Sequence, residues 1–218
     1  QDVSGTVLSR QEVTASEDAV KTVITSFEGE YMQIPPMYSA LKVNGQKLCD
    51  LARKGIEVER KARPVTIHKI EILEIDLPRV RMKVECSKGT YIRTLCKDIG
   101  VKLGCGACME SLLRTRVSEF RLDGALRLQQ IEELVQREDF SFVQSVDSVF
   151  MQYDSAQVME IAKKMVENGN RIPKEMICNM CQEKEQKCIR LYDWENRFIG
   201  LYAYMPQEQD FKPIKLFI

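Results

Sequence analysis

A run of strict two-residue alternation constrains this chain more than any other feature. Val80, Met82, Val84 and Cys86 are apolar, while Arg79, Arg81, Lys83 and Glu85 between them are charged. Successive strand side chains point to opposite faces, so this period predicts a half-buried strand with a charged outer face. Ser87-Lys88-Gly89-Thr90 follows as a turn. Ile92, Leu95, Cys96, Ile99 and Leu103 then recur at helical spacing up to Gly104, which is placed to stop the helix. Such a junction can hold a phosphate: the glycine permits close backbone approach, the helix start offers free amides, and Lys88 and Arg93 supply positive charge. Tyr91 adds a flat ring on which a base can stack. The bland alternative is an ordinary strand-to-helix turn with both cations in solvent. The G-x-x-x-x-G-K-[ST] pattern of a P-loop is absent.

Upstream, Thr14 and Glu17 fit the ends of a capping box, and Ala19, Val20, Val23, Ile24 and Phe27 mark the helix it would start. The stretch 33–63 reads as a long excursion from the core. It opens on Ile34-Pro35-Pro36, carries an Asn44-Gly45 turn, and holds one short apolar face at Leu48, Leu51 and Ala52. A β-rich run follows from Pro64 to Ile75. Past the Gly104 stop, a strand is expected over 114–120 and an amphipathic helix on Leu128, Ile131, Leu134 and Val135. Composition shifts near Val146-Asp147-Ser148, which gives expected domains of 1–148 and 149–218. In the second, one helix is expected over Val158 to Val166, a hairpin around Trp194-Glu195-Asn196, and a closing strand at 212–217. The expected fold class is α+β, a mixed-sheet domain followed by a small β-barrel.

Net charge is zero, with 32 basic and 32 acidic residues, but its distribution is uneven. Residues 42–63 carry seven basic and three acidic side chains, and 79–116 carry nine and three. Basic stretches on a neutral chain are the footprint of a bound polyanion, with chance segregation on a solvated face as the alternative. With a single histidine, His68, no Ser-His-Asp triad is available. His68 itself reads as packing or surface, and Asp98 as one half of a structural ion pair. The pairs Cys105/Cys108 and Cys178/Cys181 are too far apart in sequence for a zinc ribbon. Without a signal peptide or a long apolar run, the eight cysteines read as reduced cytosolic thiols and the protein as cytoplasmic, with no membrane partner.

Several ordered stretches together resemble the bacterial TruB-type tRNA pseudouridine synthases. They are Gln33-Ile34-Pro35-Pro36-Met37-Tyr38-Ser39-Ala40-Leu41-Lys42 with its continuation to Arg63-Pro64, then Cys86 to Leu95 with Asp98-Ile99-Gly100. A third comprises Gly104, Gly106-Ala107, Met109 and Leu112 to Thr115, with Cys108 where the family usually has His. Phe198-Ile199-Gly200 and Phe211-Lys212-Pro213 are similar to the family's PUA-like C-terminal domain. The resemblance implies a pseudouridine synthase catalytic domain whose thumb, 33–63, grips the T-arm of tRNA. Lys42, Lys47, Arg53 and Lys54 would meet phosphates. Arg114 would pair with the catalytic aspartate, and Leu112 and Leu128 would line the uracil pocket beside Tyr91, Lys88 and Arg93. The uridine is flipped out, detached at C1′ and rejoined through C5 without metal or cofactor.

In that family the nucleophilic aspartate lies in G-H-x-G-x-L-D-P, ahead of a K-x-Y motif, and neither is present in these residues. The expectation is an N-terminally truncated synthase, inactive alone, whose exposed apolar sheet surface seeks a missing N-terminal piece or self-associates. Three rivals remain at this point. They are a non-catalytic RNA-binding protein, a zinc module built on Cys178, Cys181 and Cys188, and the guide-RNA-dependent relatives of the synthases; the long thumb favours the stand-alone type over the last.

Overall fold

The computed structural model describes residues 1–7, 9–178 and 188–217. Backbone contacts divide the chain into two units, Gln1–Leu113 and Arg114–Ile218. The composition shift near Ser148 falls inside the second unit, shortly before its large sheet begins.

The first unit is a three-stranded antiparallel sheet backed by two helices. Helix α1 spans Glu17–Thr25 and strand β1 spans Gly29–Gln33. The helix is capped later than the capping box predicts. Ser16, not Thr14, is the N-cap, and its hydroxyl accepts from the Ala19 amide at 3.3 Å. The excursion then carries β2 (Lys42–Val43), β3 (Gln46–Lys47) and α2 (Leu48–Arg53), with positive φ at Asn44 and Gly45 closing the β2–β3 hairpin. Strand β4 (Arg63–Asp76) pairs with both β1 and β5 (Arg79–Cys86). The β1–β4 register ends at Gln33 opposite Arg63, so the excursion leaves and re-enters the sheet at one point.

β5 shows the predicted alternation along its whole length. β4 does not, because its register with β5 slips between Ile67 and Lys69 and again between Ile72 and Glu74. Each bulge moves the inward face by one residue. The inward positions therefore run Val65 and Ile67, then Ile70 and the partly buried Ile72, then the partly buried Ile75. His68 is left exposed in the first bulge. Helix α3 (Ile92–Leu103) stops at Gly104, whose φ of +76° is the left-handed conformation expected there. Val20 and Ile24 of α1, Ile67 and Ile70 of β4, and Leu95 and Ile99 of α3 form this unit's core.

The second unit begins differently from its sequence. The strand expected over 114–120 is a hairpin of β6 (Arg116–Val117) and β7 (Phe120–Arg121), reversed at Ser118 in a positive-φ conformation. Helix α4 (Leu128–Gln136) forms as its periodicity predicts. The helix expected from Val158 is split: Val158 ends β8 (Asp154–Val158), and only Lys163–Glu167 forms α5, after a 3-10 turn. Strands β9 (Ile172–Pro173), β10 (Ile177–Cys178), β11 (Cys188–Tyr192), β12 (Phe198–Met205) and β13 (Asp210–Leu216) complete a six-stranded sheet in the order β10-β8-β11-β12-β13-β9. It curls around Leu191, Ile199, Tyr202 and Phe211. The predicted hairpin is β11–β12. Its turn is held by Asp193, whose carboxylate accepts from the Glu195 and Arg197 amides and pairs with the Arg197 guanidinium at 2.7 Å. Burial pushes the Asp193 carboxyl up, yet these hydrogen bonds outweigh it and hold the group below the usual carboxylate range.

A group lowered in this way contributes stability above its unfolded pKa and loses it as pH falls through the lower folded value. Asp193→Asn should therefore destabilise the protein by about 1–3 kcal/mol at neutral pH. The gap from the parent, read by denaturant titration, should close in acid below about pH 4.

Candidate functional site

The turn joining β5 to α3 is built from both ends. The Ser87 amide donates to the Thr66 carbonyl at 2.8 Å, and the Thr66 amide donates to the Ser87 hydroxyl at 2.9 Å, which ties the turn to β4. The Thr90 hydroxyl donates back to the Ser87 carbonyl at 2.9 Å, and Gly89 takes a φ of +92°. Lys88 stands exposed at the tip.

Tyr91, the N-cap of α3, has no side-chain cap of its own. The carboxamide of Gln33 takes that part from across the sheet. Its oxygen accepts from the Tyr91 amide at 2.8 Å, and its nitrogen donates to the Tyr91 carbonyl at 3.2 Å. The same nitrogen bonds to the Tyr31 hydroxyl, so the carboxamide is held on both sides. Gln33 is 1% exposed, an unusual place for a polar side chain unless its hydrogen bonds are satisfied. Tyr31 is pushed up to about 12, chiefly by burial, so its phenol stays protonated at neutral pH. The amides of Ile92 and Arg93 have no backbone acceptor among the described residues.

Arg93 does not stand free in solvent. Its guanidinium pairs with Asp2 at 3.3 Å, with both side chains about two-thirds covered or more. The Ser4 hydroxyl and amide, together with Arg93, hold the Asp2 carboxyl below its ordinary value. Residues 1–3 in turn bond to Met109 through the Met109 amide to the Gln1 carbonyl (2.9 Å) and the Val3 amide to the Met109 carbonyl (3.2 Å). This brings the Gly106–Met109 segment alongside α3. That segment crosses the helix at Gly100, where a Cβ would overlap the backbone of Gly106 and Ala107. Asp98 is not in the ion pair its spacing suggests. It has no ion-pair partner among the described residues, and burial raises its carboxyl pKa.

On the excursion, Leu48 (1% exposed) and Leu51 anchor α2. Lys42 and Lys47, both exposed, are direct cross-strand partners in the β2–β3 hairpin. Like charges placed opposite each other destabilise a hairpin unless an anion lies between them. Arg53 pairs at the surface with Asp50 at 3.3 Å, and Lys54 is exposed at the C-cap of α2. Arg60 closes the root of the excursion: it donates to the Pro35 carbonyl at 3.2 Å and pairs with Glu57 at 3.4 Å. A cavity of about 200 Å³ lies beside it, lined by Leu41, Val43, Leu48 and Arg63 among others.

The remaining expected site residues lie elsewhere. Leu112 is 54% exposed at the end of the first unit. Arg114 opens the second unit, exposed and without a hydrogen-bond or ion-pair partner among the described residues. Leu128 starts α4 and is 81% exposed, so it is not a core residue. Of the proposed cysteine cluster, Cys181 lies outside the described residues. The second unit has a polar cleft of about 410 Å³, into which Arg190, Tyr192, Asp147, Gln157 and Ser155 contribute. Arg190 donates there to the Tyr153 carbonyl at 2.9 Å, and the Tyr192 hydroxyl donates to Asp147 at 2.6 Å. Two residues to which the sequence assigns no site role, Gln33 and Arg60, hold the site together. Gln33 opens the family-like stretch, but nothing there beyond a polar residue placed where a strand gives way to Ile-Pro-Pro marks its side chain as a buried clamp.

Two family profiles match the chain: TruB family pseudouridylate synthase (N terminal domain) over residues 1–92, and tRNA pseudouridylate synthase B C-terminal domain over 93–156. The tRNA pseudouridine synthase B of Alkaliphilus oremlandii is 43% identical over 218 residues, 99% of this chain and 71% of the relative. That of Clostridium acetobutylicum is 44% identical over 215 residues, 99% and 72%. Among solved structures, a Cbf5-Nop10-Gar1 complex matches with a TM-score of 0.65 at 23% identity, covering 96% of this chain and 64% of that one. An H/ACA RNP bound to a substrate RNA containing 2'-deoxyuridine matches at 0.63 and 21%, covering 94% and 62%. The chain thus spans less than two thirds of these solved chains, and at such identities they establish the fold alone, an α+β architecture that ends in a six-stranded sheet. No helix among the described residues is long and apolar enough to cross a membrane.

Gly100→Ala should lower stability by about 1–3 kcal/mol through the backbone overlap, although alanine is the better helix former. Thermal unfolding followed by circular dichroism checks the sign.

Proposed function

The chain belongs to the TruB family of pseudouridylate synthases, and on that footing we propose that it is the RNA-gripping part of a tRNA pseudouridine(55) synthase. Its substrate on this reading is the uridine of the tRNA T-loop, met in the cytoplasm. The observation that carries the reading is the Lys42–Lys47 pair, two cations held face to face on an excursion rooted beside the Tyr91 turn. A phosphate between them would relieve their repulsion. Arg53 and Lys54 extend the same basic surface along α2.

Isomerisation conserves every atom of the uridine. The N1–C1′ bond breaks, the freed base turns, C5 bonds to C1′, and the C5 proton is lost as N1 gains one. The base must first leave its stack, at a cost of a few kcal/mol. Stacking on Tyr91 would offset this by roughly 1–3 kcal/mol. Lys88 at the turn tip and the open amides of Ile92 and Arg93 suit the flanking phosphate. Leu112, exposed on the same unit as the Tyr91 turn, supplies apolar surface for the uracil.

The reaction also requires an ionised, oriented carboxylate, and a guanidinium partner keeps it so. The family motif assigns this part to Arg114. The geometry favours Arg93, which is largely covered, two residues from Tyr91 and already bonded to a carboxylate. None of the aspartates in these residues lies in the family's G-H-x-G-x-L-D-P context, so the 218-residue polypeptide binds RNA and does not turn it over by itself. The apolar side chains exposed at Leu113, Val117 and Phe120 favour self-association or a further polypeptide.

A T-stem-loop RNA should bind with strongly salt-dependent affinity. The slope of log K against log salt should become shallower by roughly 0.9 for each phosphate left unneutralised in Lys42→Ala, Lys47→Ala or Lys54→Ala. Salt-insensitive binding would count against the reading, and pseudouridine formed by the 218 residues alone would overturn the statement that they do not turn over.

A further inference from the structure

Gln33 occupies two positions at once. It is the last residue of β1 before the excursion departs, and its carboxamide is bonded to both backbone groups of Tyr91. These bonds join residues 58 apart in sequence. We infer that Gln33 is a positioning residue that couples the grip of the excursion to the placement of Tyr91, so that RNA seated on Lys42 and Lys47 is presented to a ring already aimed at the base. The inference rests on the reading that Tyr91 stacks on the target base.

The physical case is one of geometry and burial. Tyr91 is an N-cap with no side-chain cap of its own. Its carbonyl also accepts from the Thr94 and Leu95 amides, while its amide, which no helix bond reaches, donates to Gln33. The Gln33 carboxamide fixes that backbone through a donor and an acceptor together, which defines an orientation as well as a distance. The Tyr31 hydroxyl sets which way the carboxamide faces. Because Gln33 is fully buried, water cannot replace it without opening the sheet edge. On the other side, the Gln33 backbone is in register with Arg63, and Arg60 bonds to the Pro35 carbonyl two residues on. Both strands of the excursion's root thus meet at the residue that carries this side chain. A shift of the root therefore moves the Tyr91 backbone with it.

The test uses the 218-residue chain and a T-stem-loop RNA with 2-aminopurine in place of the target uridine. In the parent protein, binding should change the probe's fluorescence as it leaves its stack, and Tyr91→Ala should remove the change. Gln33→Met keeps the volume and removes both hydrogen bonds. Its affinity should stay within about threefold of the parent, since the phosphate-binding cations are intact, while the fluorescence change per bound RNA disappears. An unaltered change per bound RNA, with or without weaker binding, would make Gln33 structural or part of the grip alone and overturn the inference. Failure of the parent to bind RNA would instead overturn the RNA reading and this inference with it.

Gln33→Glu decides the matter should Gln33→Met not fold. A protonated glutamic acid can still donate to the Tyr91 carbonyl, whereas the carboxylate can only repel it, and burial raises its pKa. The groups acting on its neighbour Tyr31 are Asp98, Cys86 and Cys96; Cys96 is held up at about 11 by burial, and the parent at each pH controls for Asp98. The Gln33→Glu fluorescence change should approach the parent's near about pH 5.5 and vanish near about pH 8, where the parent is unchanged. A pH-independent response would overturn the inference.

Discussion

The antiparallel pairing of β1 with β4 is the constraint on which the site depends. Because that ladder ends with Gln33 opposite Arg63, everything between them must leave the sheet and return to the same point. A long excursion held only at its ends would be a loose loop. Here Leu48 and Leu51 give it a small apolar anchor, and Arg60 ties its returning strand to Pro35. The basic side chains of the excursion thus project from a fixed root. The same root, through Gln33, fixes the start of α3.

On the proposed reading, a neutral protein carries a polyanion site because its cations are unevenly placed. The cations of the excursion and of the β5–α3 turn fall on one unit, whereas those of β5 face acidic partners across β4, with Arg81 bonded to Glu74 at 2.8 Å and Lys83 in register with Glu71. Electrostatic attraction of this kind draws in any nucleic acid and tells little about sequence. On that reading, selectivity comes from shape and from the single base that leaves its stack. That division of labour, on the same proposed reading, gives affinity to the excursion and chemistry to the turn.

Elements set by local pattern were legible in the chain. The alternation of β5, the Gly104 stop of α3, the Asn44-Gly45 hairpin turn and the β11–β12 hairpin all formed where their residues indicate. What the pattern hid depends on partners distant in sequence. The double slip in β4 is visible only against β5. Val158 has helical spacing to Ile161 and Ala162, yet sheet pairing with Ile177 claims it for β8. At the candidate site, the turn that carries Lys88 and Gly89 and the start of α3 after Tyr91 were legible from the pattern. The Asp2–Arg93 pair and the Gln33 clamp were not, since each joins segments tens of residues apart.

On the proposed reading the excursion and the Tyr91 turn form one RNA-binding face, with the target base delivered to the turn. Photocrosslinking a T-stem-loop that carries 4-thiouridine at the target position, followed by peptide mass spectrometry, tests it directly. The crosslinked base should be recovered on the peptide containing Ser87 to Thr94. Recovery of the crosslink on the polar cleft of the second unit around Arg190 and Tyr192, with none on that turn, would contradict it.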